Sequence, residues 1–261
     1  MGRIDTITGL VADSRDMSIP LGVERLASSN DRLRAVLTVL ALFVVAMIAM
    51  VVVGATIRAA LIWGGAESEA MVLTALAMAA GEVVAFALVA GGYLRSAGPS
   101  VSIDWPSRRE AGVIVGAVVL ATALGAAQRA VLGELDPETT AYGADLVRAA
   151  PVVYAVLAIV GAVLAPIVEE LLFRGAIQGR LRTVTGPVGA IGGASLLFVP
   201  LHLTVAPGSP LVALLGASMI GLTSVVFGVA YERTGTLTVP IVVHAASNAV
   251  FFVLIAGRVL L

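Results

Sequence analysis

The stretch VLAPIVEELLFRGA, residues 163–176, places two adjacent glutamates and an arginine at the end of an apolar run. Carboxylates within or beside a hydrocarbon layer are costly unless they are paired or put to use. In a helix, Glu169 and Glu170 point in different directions, whereas residues four apart share one face. The spacing therefore predicts a pair between Glu170 and Arg174, and it leaves Glu169 free to face another group.

The histidines are the second group of polar residues that lie in apolar segments. The chain has only two histidines, His202 and His244, and both lie in later apolar segments. Because polar groups in hydrocarbon reduce stability, two histidines placed there favour a functional role.

Composition defines the class of protein. The chain has 261 residues, of which 59% are hydrophobic and 13% charged, and its mean hydropathy is +1.03. These values are far outside the range of soluble domains and predict an all-α, polytopic transmembrane bundle. Absence of cysteine excludes disulfides, thiol nucleophiles and cysteine-ligated metal. All 16 basic residues are arginine, and no run of them is typical of nucleic-acid binding, so no nucleic-acid partner is expected.

The apolar runs divide the chain into three parts. Residues 1–33 are predicted to form a polar cytoplasmic tail, residues 34–149 three transmembrane helices with their loops, and residues 150–261 a four-helix catalytic core. About seven spans are expected, at residues 35–57, 70–94, 111–127, 151–182, 188–204, 211–230 and 238–257. Turns are predicted at residues 183–187, 206–210 and 231–236, and a polar loop with at most a short helix at residues 128–150, with Pro137 and Gly143 as breakers.

Arginine placement predicts the orientation. With a cytoplasmic N-terminus, four of the sixteen arginines lie outside, namely Arg58, Arg129, Arg148 and Arg258, which leaves twelve on the cytoplasmic side. The sequence therefore predicts a multi-pass protein of a cell membrane, expected to be bacterial, with its N-terminus inside and its C-terminus outside.

Two features of the first three spans can be explained by packing within the bundle. Glu82, near the middle of the second span, is expected to be protonated or hydrogen-bonded within the bundle, with a role in the site as the alternative. Gly112 and Gly116 have the spacing that allows helices to approach closely.

Helix geometry predicts that the later polar residues meet. If residues 183–187 form the tip of a hairpin, Glu169 and His202 lie at similar distances from it, roughly 20 Å at 1.5 Å per residue. His244 and Asn248 share one face of the last span, roughly 10 and 17 Å from its start. We therefore expect Glu169, His202, His244 and Asn248 to line one intramembrane cavity.

Three motifs support this expectation. EELLFR (Glu169 to Arg174), FVPLH (Phe198 to His202) and HAASN (His244 to Asn248) resemble the EExxxR, FxxxH and HxxxN motifs of the CPBP family. That family includes type II CAAX prenyl endopeptidases and bacteriocin-processing or self-immunity proteins. The resemblance covers residues 150–257 and implies an all-helical intramembrane endopeptidase that acts on a membrane-associated protein or peptide.

The resemblance also implies residue roles. Glu169 would activate water, His202 and His244 would bind that water or a metal, and Asn248 would help to hold the oxyanion. Glu170 and Arg174 would brace the site. A metal-free mechanism has Glu169 as the base, whereas a zinc-type mechanism would use Glu169, His202 and His244 as ligands. The second scheme would make Glu170 the base, which conflicts with its pairing to Arg174.

Other classes fit less well. The sequence has no HExxH motif, no pair of intramembrane aspartates and no GxSG motif. The rival interpretations are a non-catalytic immunity scaffold and a transporter, although the repeated pair of broken helices that is typical of transporters is not found.

Overall fold

Helices make up almost all of the structure. The computed structural model describes residues 28–66, 70–203 and 209–260, and these contain no strand, only an isolated bridge between Ser102 and Thr236. The α-helices are α1 (Ser29–Trp63), α2 (Ala70–Ser96), α3 (Arg108–Leu135), α4 (Pro137–Ala149), α5 (Pro151–Ile159), α6 (Ala165–Glu170), α7 (Gly179–Leu201), α8 (Pro210–Thr234) and α9 (Thr238–Leu260). Two π-helical segments, Val160–Leu164 and Leu171–Gln178, lie on either side of α6.

Six of the described helical stretches are long and apolar enough to cross a membrane, so the chain is an integral, multi-pass membrane protein. One of the six, Pro151–Leu201, has 51 residues, about 77 Å at 1.5 Å per residue, against a hydrocarbon core of about 30 Å. It reverses direction at Gly186, whose φ of 72° is left-handed, immediately before Pro187.

Contacts on either side of Gly186 show that the two arms run antiparallel. The rings of Phe173 and Phe198 are 4.8 Å apart, and Leu181 lies against Gly193, where a Cβ would be 2.7 Å from its Cδ1. The turn predicted at residues 183–187 is therefore present. With the two arms counted separately there are seven segments, in agreement with the predicted fold class of about seven spans.

The polar connection at residues 128–150 is the clearest error of the sequence analysis. It was predicted to be mainly a loop, but α3 continues to Leu135 and α4 occupies Pro137–Ala149. Pro137 is the first residue of α4, a position where its missing N–H removes no hydrogen bond, and Gly143 lies within that helix. Pro137 therefore marks the start of a second helix, not the start of a loop.

The N-terminal boundary also differs from the prediction. α1 begins at Ser29 because Ser28 and Asp31 form a capping box, so residues 29–33 belong to a helix and not to the tail. The rest of the predicted tail, residues 1–27, lies outside the described residues, as do residues 206–208 of the predicted turn at 206–210. The turn predicted at 231–236 is shorter, since α8 reaches Thr234 and ends at Gly235, whose φ is 70°.

The glycines at which two helices approach closely are not the predicted ones. A Cβ on Gly112 or Gly116 would meet nothing within 4 Å, so the close approach expected there is wrong for the described residues. A Cβ on Gly81 would lie 2.6 Å from the Met50 carbonyl oxygen and 2.7 Å from the Gly54 amide nitrogen. The close helix pair is therefore α1 with α2.

On one side of the bundle, hydrogen bonds join two connections between helices. The Leu237 N–H donates to the Ser102 carbonyl at 2.9 Å, and the Asp104 N–H donates to Thr236 Oγ1 at 3.2 Å. These bonds join the α2–α3 loop to the α8–α9 turn. Pro99, in the same loop, packs on Gly179, where a Cβ would be 2.7 Å from its Cγ. The ends of α2 and α8 therefore lie on the same side as the Gly186 turn.

Candidate active site

Two π-helical segments shape the backbone around Glu169 and Glu170. In the first, the Ala165 N–H donates to the Val160 carbonyl, an i→i−5 bond, and the next donor in that pattern would be residue 166. Residue 166 is proline and has no N–H, so the Gly161 carbonyl lacks its backbone donor. Asn248 Nδ2 donates to this carbonyl at 2.8 Å. Pro166 thus leaves the Gly161 carbonyl available to Asn248, and this hydrogen bond holds α9 against the first π-helical segment.

Glu170 and Arg174 form the predicted ion pair. Arg174 Nε lies 2.9 Å from Glu170 Oε2, and both side chains are completely buried. Arg174 Nη2 also donates to Ser224 Oγ at 2.7 Å, and its guanidinium lies 5.9 Å from the Phe198 ring centroid and 6.0 Å from that of Phe227. A buried charge pair with these additional contacts holds the second π-helical segment against α7 and α8.

His244 contacts both adjacent glutamates. Its Nδ1 is 3.0 Å from Glu170 Oε1, and because a carboxylate paired with arginine can only accept, Nδ1 is the donor. Its Nε2 then faces Glu169 Oε2 at 3.9 Å, which is beyond direct hydrogen-bonding distance. The ring stacks on Phe227 at 4.5 Å. Glu170 and Phe227 therefore fix the orientation of the imidazole, with Nε2 directed at Glu169.

Glu169 has a different environment from its neighbour. It is 5% exposed, and its Oε2 has no ordinary hydrogen-bond donor among the described residues. Two other carboxyl groups, those of Glu82 on α2 and of Glu170, lie near it.

His202 lies at the C-terminal end of α7. Its Nδ1 is 3.1 Å from the Phe198 carbonyl oxygen, and since a carbonyl only accepts, Nδ1 carries the proton and Nε2 has the free lone pair. The Phe198 ring is 4.6 Å from the His202 ring and 6.2 Å from the His244 ring. Phe198 thus packs between the two histidines, as a wall residue one turn before His202.

The structure brings most of the predicted site residues together. Glu169, Glu170, Arg174 and His244 form a continuous set of contacts, and His202 joins them through Phe198. Asn248, the sixth predicted residue, shares the α9 face of His244 but uses one N–H for the Gly161 carbonyl. The catalytic roles of these residues remain predictions.

Sequence reasoning missed several contributors. Ser224 Oγ accepts a hydrogen bond from Arg174 and donates one to Ser195 Oγ at 3.3 Å. The Phe227 ring stacks on the His244 ring. Isolated serines and phenylalanines are common in apolar helices, so no sequence pattern distinguishes these three residues. For Glu82 a signal was present, because an acid in the middle of a span is unusual.

The zinc-type mechanism predicts a divalent metal as cofactor. Neutral histidine nitrogens and a carboxylate are suitable zinc ligands, and Glu169, His202 and His244 offer that chemistry. Within the described ranges, however, no three His, Asp or Glu side chains are arranged closely enough to hold an ion. The ligand set therefore remains a prediction.

Fold and site together define a class: a helical multi-pass membrane protein with carboxyl and imidazole groups buried among its spans, suited to acid–base chemistry in the bilayer. Residues 151–250 match the family model described as Rce1-like, type II CAAX prenyl endopeptidase. A domain of the Rce1-like family therefore occupies these residues, which confirms the resemblance to CPBP proteins and implies a membrane peptidase of the CAAX-protease type. No curated protein and no solved structure matches the chain significantly.

Proposed function

We propose that this protein is an intramembrane endopeptidase that hydrolyses a peptide bond in a membrane-associated protein or peptide with water activated by Glu169. One observation carries the proposal. Glu169 Oε2 is buried without an ordinary donor and lies 3.9 Å from His244 Nε2. Two acceptor atoms at this separation, too far apart for a direct bond, suit a water that donates one hydrogen to each.

Glu169 removes a proton from the water while its oxygen attacks the peptide carbonyl carbon, and the carbonyl oxygen becomes an oxyanion. The C–N bond then breaks as Glu169 returns the proton to the leaving nitrogen. His244 orients the water through its Nε2 atom, and His202, which packs on Phe198, lies at the wall of the site. Asn248, whose second Nδ2 hydrogen is not used by Gly161, would donate to the oxyanion.

Glu170 is unsuited to act as the base. One of its oxygens accepts from Arg174 and the other from His244. A carboxylate held by two such donors favours its ionised form and has no oxygen directed at a substrate. Its proposed role, with Arg174, is to position His244.

A metal-assisted version would use the same atoms differently. Glu169, His202 and His244 would hold the ion, which would lower the pKa of its bound water. In that version Glu169 would be a ligand and could not also be the free base. Removal of metal therefore distinguishes the two versions.

The depth of the site suggests where cleavage occurs. His244 lies six residues after Thr238, the first residue of α9, about 9 Å along the helix. Glu169 contacts it and is therefore at a similar depth. We propose that the scissile bond lies near the membrane surface on the arginine-rich, cytoplasmic side, in a bacterial cell membrane.

The test compares wild type with Glu169→Gln in proteoliposomes, because Gln keeps the shape and removes the base. The probes are a quenched fluorescent peptide with a farnesylated C-terminal CAAX sequence and the same peptide without lipid. New N-termini in native membrane proteins, with each variant expressed, provide a second readout. We expect Glu169→Gln to lose at least about 10²-fold in rate while it still inserts and folds.

Each other outcome has a meaning. Equal cleavage by both proteins would end the mechanism based on Glu169, whereas no cleavage of either peptide and no new N-termini would favour a non-catalytic scaffold or a transporter. Loss of wild-type activity with chelator, restored by zinc, would favour the metal-assisted version over glutamate and water.

A further inference from the structure

We propose that Arg174 and Gln178 bind a buried water molecule, and that Gln178 acts through this water as a positioning residue of the site. The positioning role rests on the proposed function, whereas the water site does not. Gln178 lies four residues after Arg174, at the end of the second π-helical segment and outside the three motifs. Both side chains are completely buried.

Each of the two side chains has one polar atom without a partner. Arg174 Nη1 and Gln178 Oε1 are buried, and neither has a hydrogen-bond partner among the described residues. The two side chains lie side by side against α8, because Arg174 bonds Ser224 and Gln178 bonds Gly228, which is four residues further along that helix. A buried polar atom without a hydrogen bond is costly, so these two neighbouring atoms call for a ligand.

The contacts of Gln178 determine which end of its amide is free. Nε2 donates to the Gly228 carbonyl oxygen at 3.2 Å and to Glu232 Oε1 at 3.1 Å. The other oxygen of Glu232 is 3.1 Å from Arg182 Nε, and a carboxylate paired with arginine only accepts. The reverse orientation of the amide would place its oxygen against two acceptors. Oε1 is therefore the free end.

The free atom of Arg174 lies on the edge of the guanidinium away from Glu170. Nε donates to Glu170 Oε2 at 2.9 Å, and Nη2 donates to Ser224 Oγ at 2.7 Å. Nη1 is on the same side of the guanidinium as Cδ, so it points away from the Nε–H bond. Glu170 precedes Arg174 by four residues and Gln178 follows it by four, so the edge away from Glu170 is on the side of Gln178.

Water is the ligand that fits these two atoms. Nη1 can only donate and Oε1 can only accept, and they do not bond each other directly. The guanidinium would repel a cation, and the amide oxygen has no hydrogen to donate to an anion. Water accepts from Nη1 and donates to Oε1, so one molecule satisfies both atoms. Buried waters in proteins typically bridge polar groups that have no other partner.

The consequence for the reaction concerns the position of His244. Arg174 binds Glu170, and Glu170 accepts from His244 Nδ1 at 3.0 Å. The water restrains the remaining edge of the guanidinium, and Gln178 holds that water. Gln178 does not contact the substrate or the catalytic water in this scheme, so its loss should lower kcat and leave KM little changed.

The water site is tested by experimental structures of wild type and Gln178→Met at a resolution that shows ordered waters. Met keeps the length of the side chain and replaces the amide with an apolar group. In wild type we expect a water within about 3.2 Å of both Arg174 Nη1 and Gln178 Oε1. In Gln178→Met this water should be lost, while Arg174 keeps its bond to Glu170. A map that shows other buried waters but none here, or a direct bond between the two side chains, would overturn the site.

Kinetics with the peptides above test the positioning role, with Gln128→Met as the matched control. Gln128 Nε2 also donates to a glycine carbonyl on α8, that of Gly216 at 2.9 Å, but near the opposite end of that helix. We expect Gln178→Met to lose about tenfold in kcat, as for one ordinary hydrogen bond. Gln128→Met should behave as wild type. Equal kcat losses in both variants, or a change in KM alone, would overturn the positioning role.

A second variant keeps every polar group in place and substitutes for Gln178→Met if that protein does not fold. A Cβ on Gly228 would lie 3.0 Å from Gln178 Oε1, so the methyl group of Gly228→Ala competes with the water for space beside this oxygen. Gly216→Ala is its control, because that Cβ would lie 3.2 Å from Leu132 Cδ1. We expect kcat to fall in Gly228→Ala alone, and equal kcat values in the two variants would contradict the positioning role.

Failure of this inference can be distinguished from failure of the proposed function. If Glu169→Gln is inactive while Gln178→Met keeps the wild-type kcat, only the positioning role of Gln178 fails. If Glu169→Gln is as active as wild type, the proposed function fails, and the two structures alone decide whether the water is bound.

Discussion

Glu170 accepts a hydrogen bond from His244 Nδ1 at 3.0 Å with the carboxylate oxygen that Arg174 does not use. One buried carboxylate thus joins α9 to the second π-helical segment. Arg174 continues the chain of contacts to Ser224 on α8. The adjacent glutamates therefore have separate tasks: Glu170 holds neighbouring groups in place, whereas Glu169 faces the position proposed for water.

Removal of Glu170 should destabilise the fold. In Glu170→Leu, the guanidinium of Arg174 would remain buried without its counter-charge, which costs about 3–5 kcal/mol in comparable cases. We expect a corresponding fall in the free energy of unfolding, measured by denaturant titration in detergent. The double variant Glu170→Leu with Arg174→Leu should recover part of that loss, because no charge is left buried.

An exposed ion pair provides the control. Arg148 and Asp145 are 3.0 Å apart, and their side chains are 60% and 66% exposed. Asp145→Asn should change stability by less than about 1 kcal/mol. Similar losses for Asp145→Asn and Glu170→Leu would contradict the interpretation that burial makes the Glu170 pair important.

The α1–α2 interface gives a second prediction. A Cβ on Gly81 would collide with backbone atoms of Met50 and Gly54, which cannot move away as a flexible side chain can. Gly81→Ala should therefore lower the stability by about 1–3 kcal/mol. Gly116→Ala is the matched control, since its Cβ would meet open space, and it should cause no loss. The thermal midpoints of the two variants test this, and an equal effect at both positions would contradict it.

Patterns that act within one helix could be read from the sequence. The spans follow from the length of the apolar runs, and the Glu170–Arg174 pair follows from a spacing of four residues. The turn near Gly186 follows from glycine before proline. Each of these depends on neighbours in the chain, which the sequence shows directly.

Relationships between helices could not be read in the same way. The sequence shows that Glu82 is a costly residue in a span, but not that α2 turns it toward Glu169. Gly112 and Gly116 have the spacing of a packing motif, yet the close approach occurs at Gly54 and Gly81, because spacing does not specify which face meets a partner. The π-helical segments likewise depend on i→i+5 bonds that propensities do not predict.

Orientation in the membrane is the third prediction. Among the described residues, the side with the Gly186 turn holds eight arginines, Arg32, Arg34, Arg95, Arg108, Arg109, Arg180, Arg182 and Arg233. The positive-inside rule therefore places that side in the cytoplasm. The absence of cysteine allows a clean test with single-cysteine variants. A membrane-impermeant thiol reagent added to whole cells should label Ala66→Cys and not Val188→Cys, and the opposite pattern would reverse the assigned orientation.

The hydrogen bond between Asn248 and Gly161 leads to the last prediction. Asn248→Leu would leave the partly buried Gly161 carbonyl without this donor, which costs at most about 1–3 kcal/mol. Pro166→Ala should reduce that cost, because an amide at residue 166 can donate to Gly161 in the i→i−5 pattern that Ala165 already follows. Unfolding of wild type, the two single variants and the double variant measures this coupling. Equal costs of Asn248→Leu with and without Pro166 would contradict it. Peptidase activity should not recover with stability in the double variant, because leucine lacks the second N–H that we assign to the oxyanion, and this difference separates the structural role of Asn248 from its proposed catalytic role.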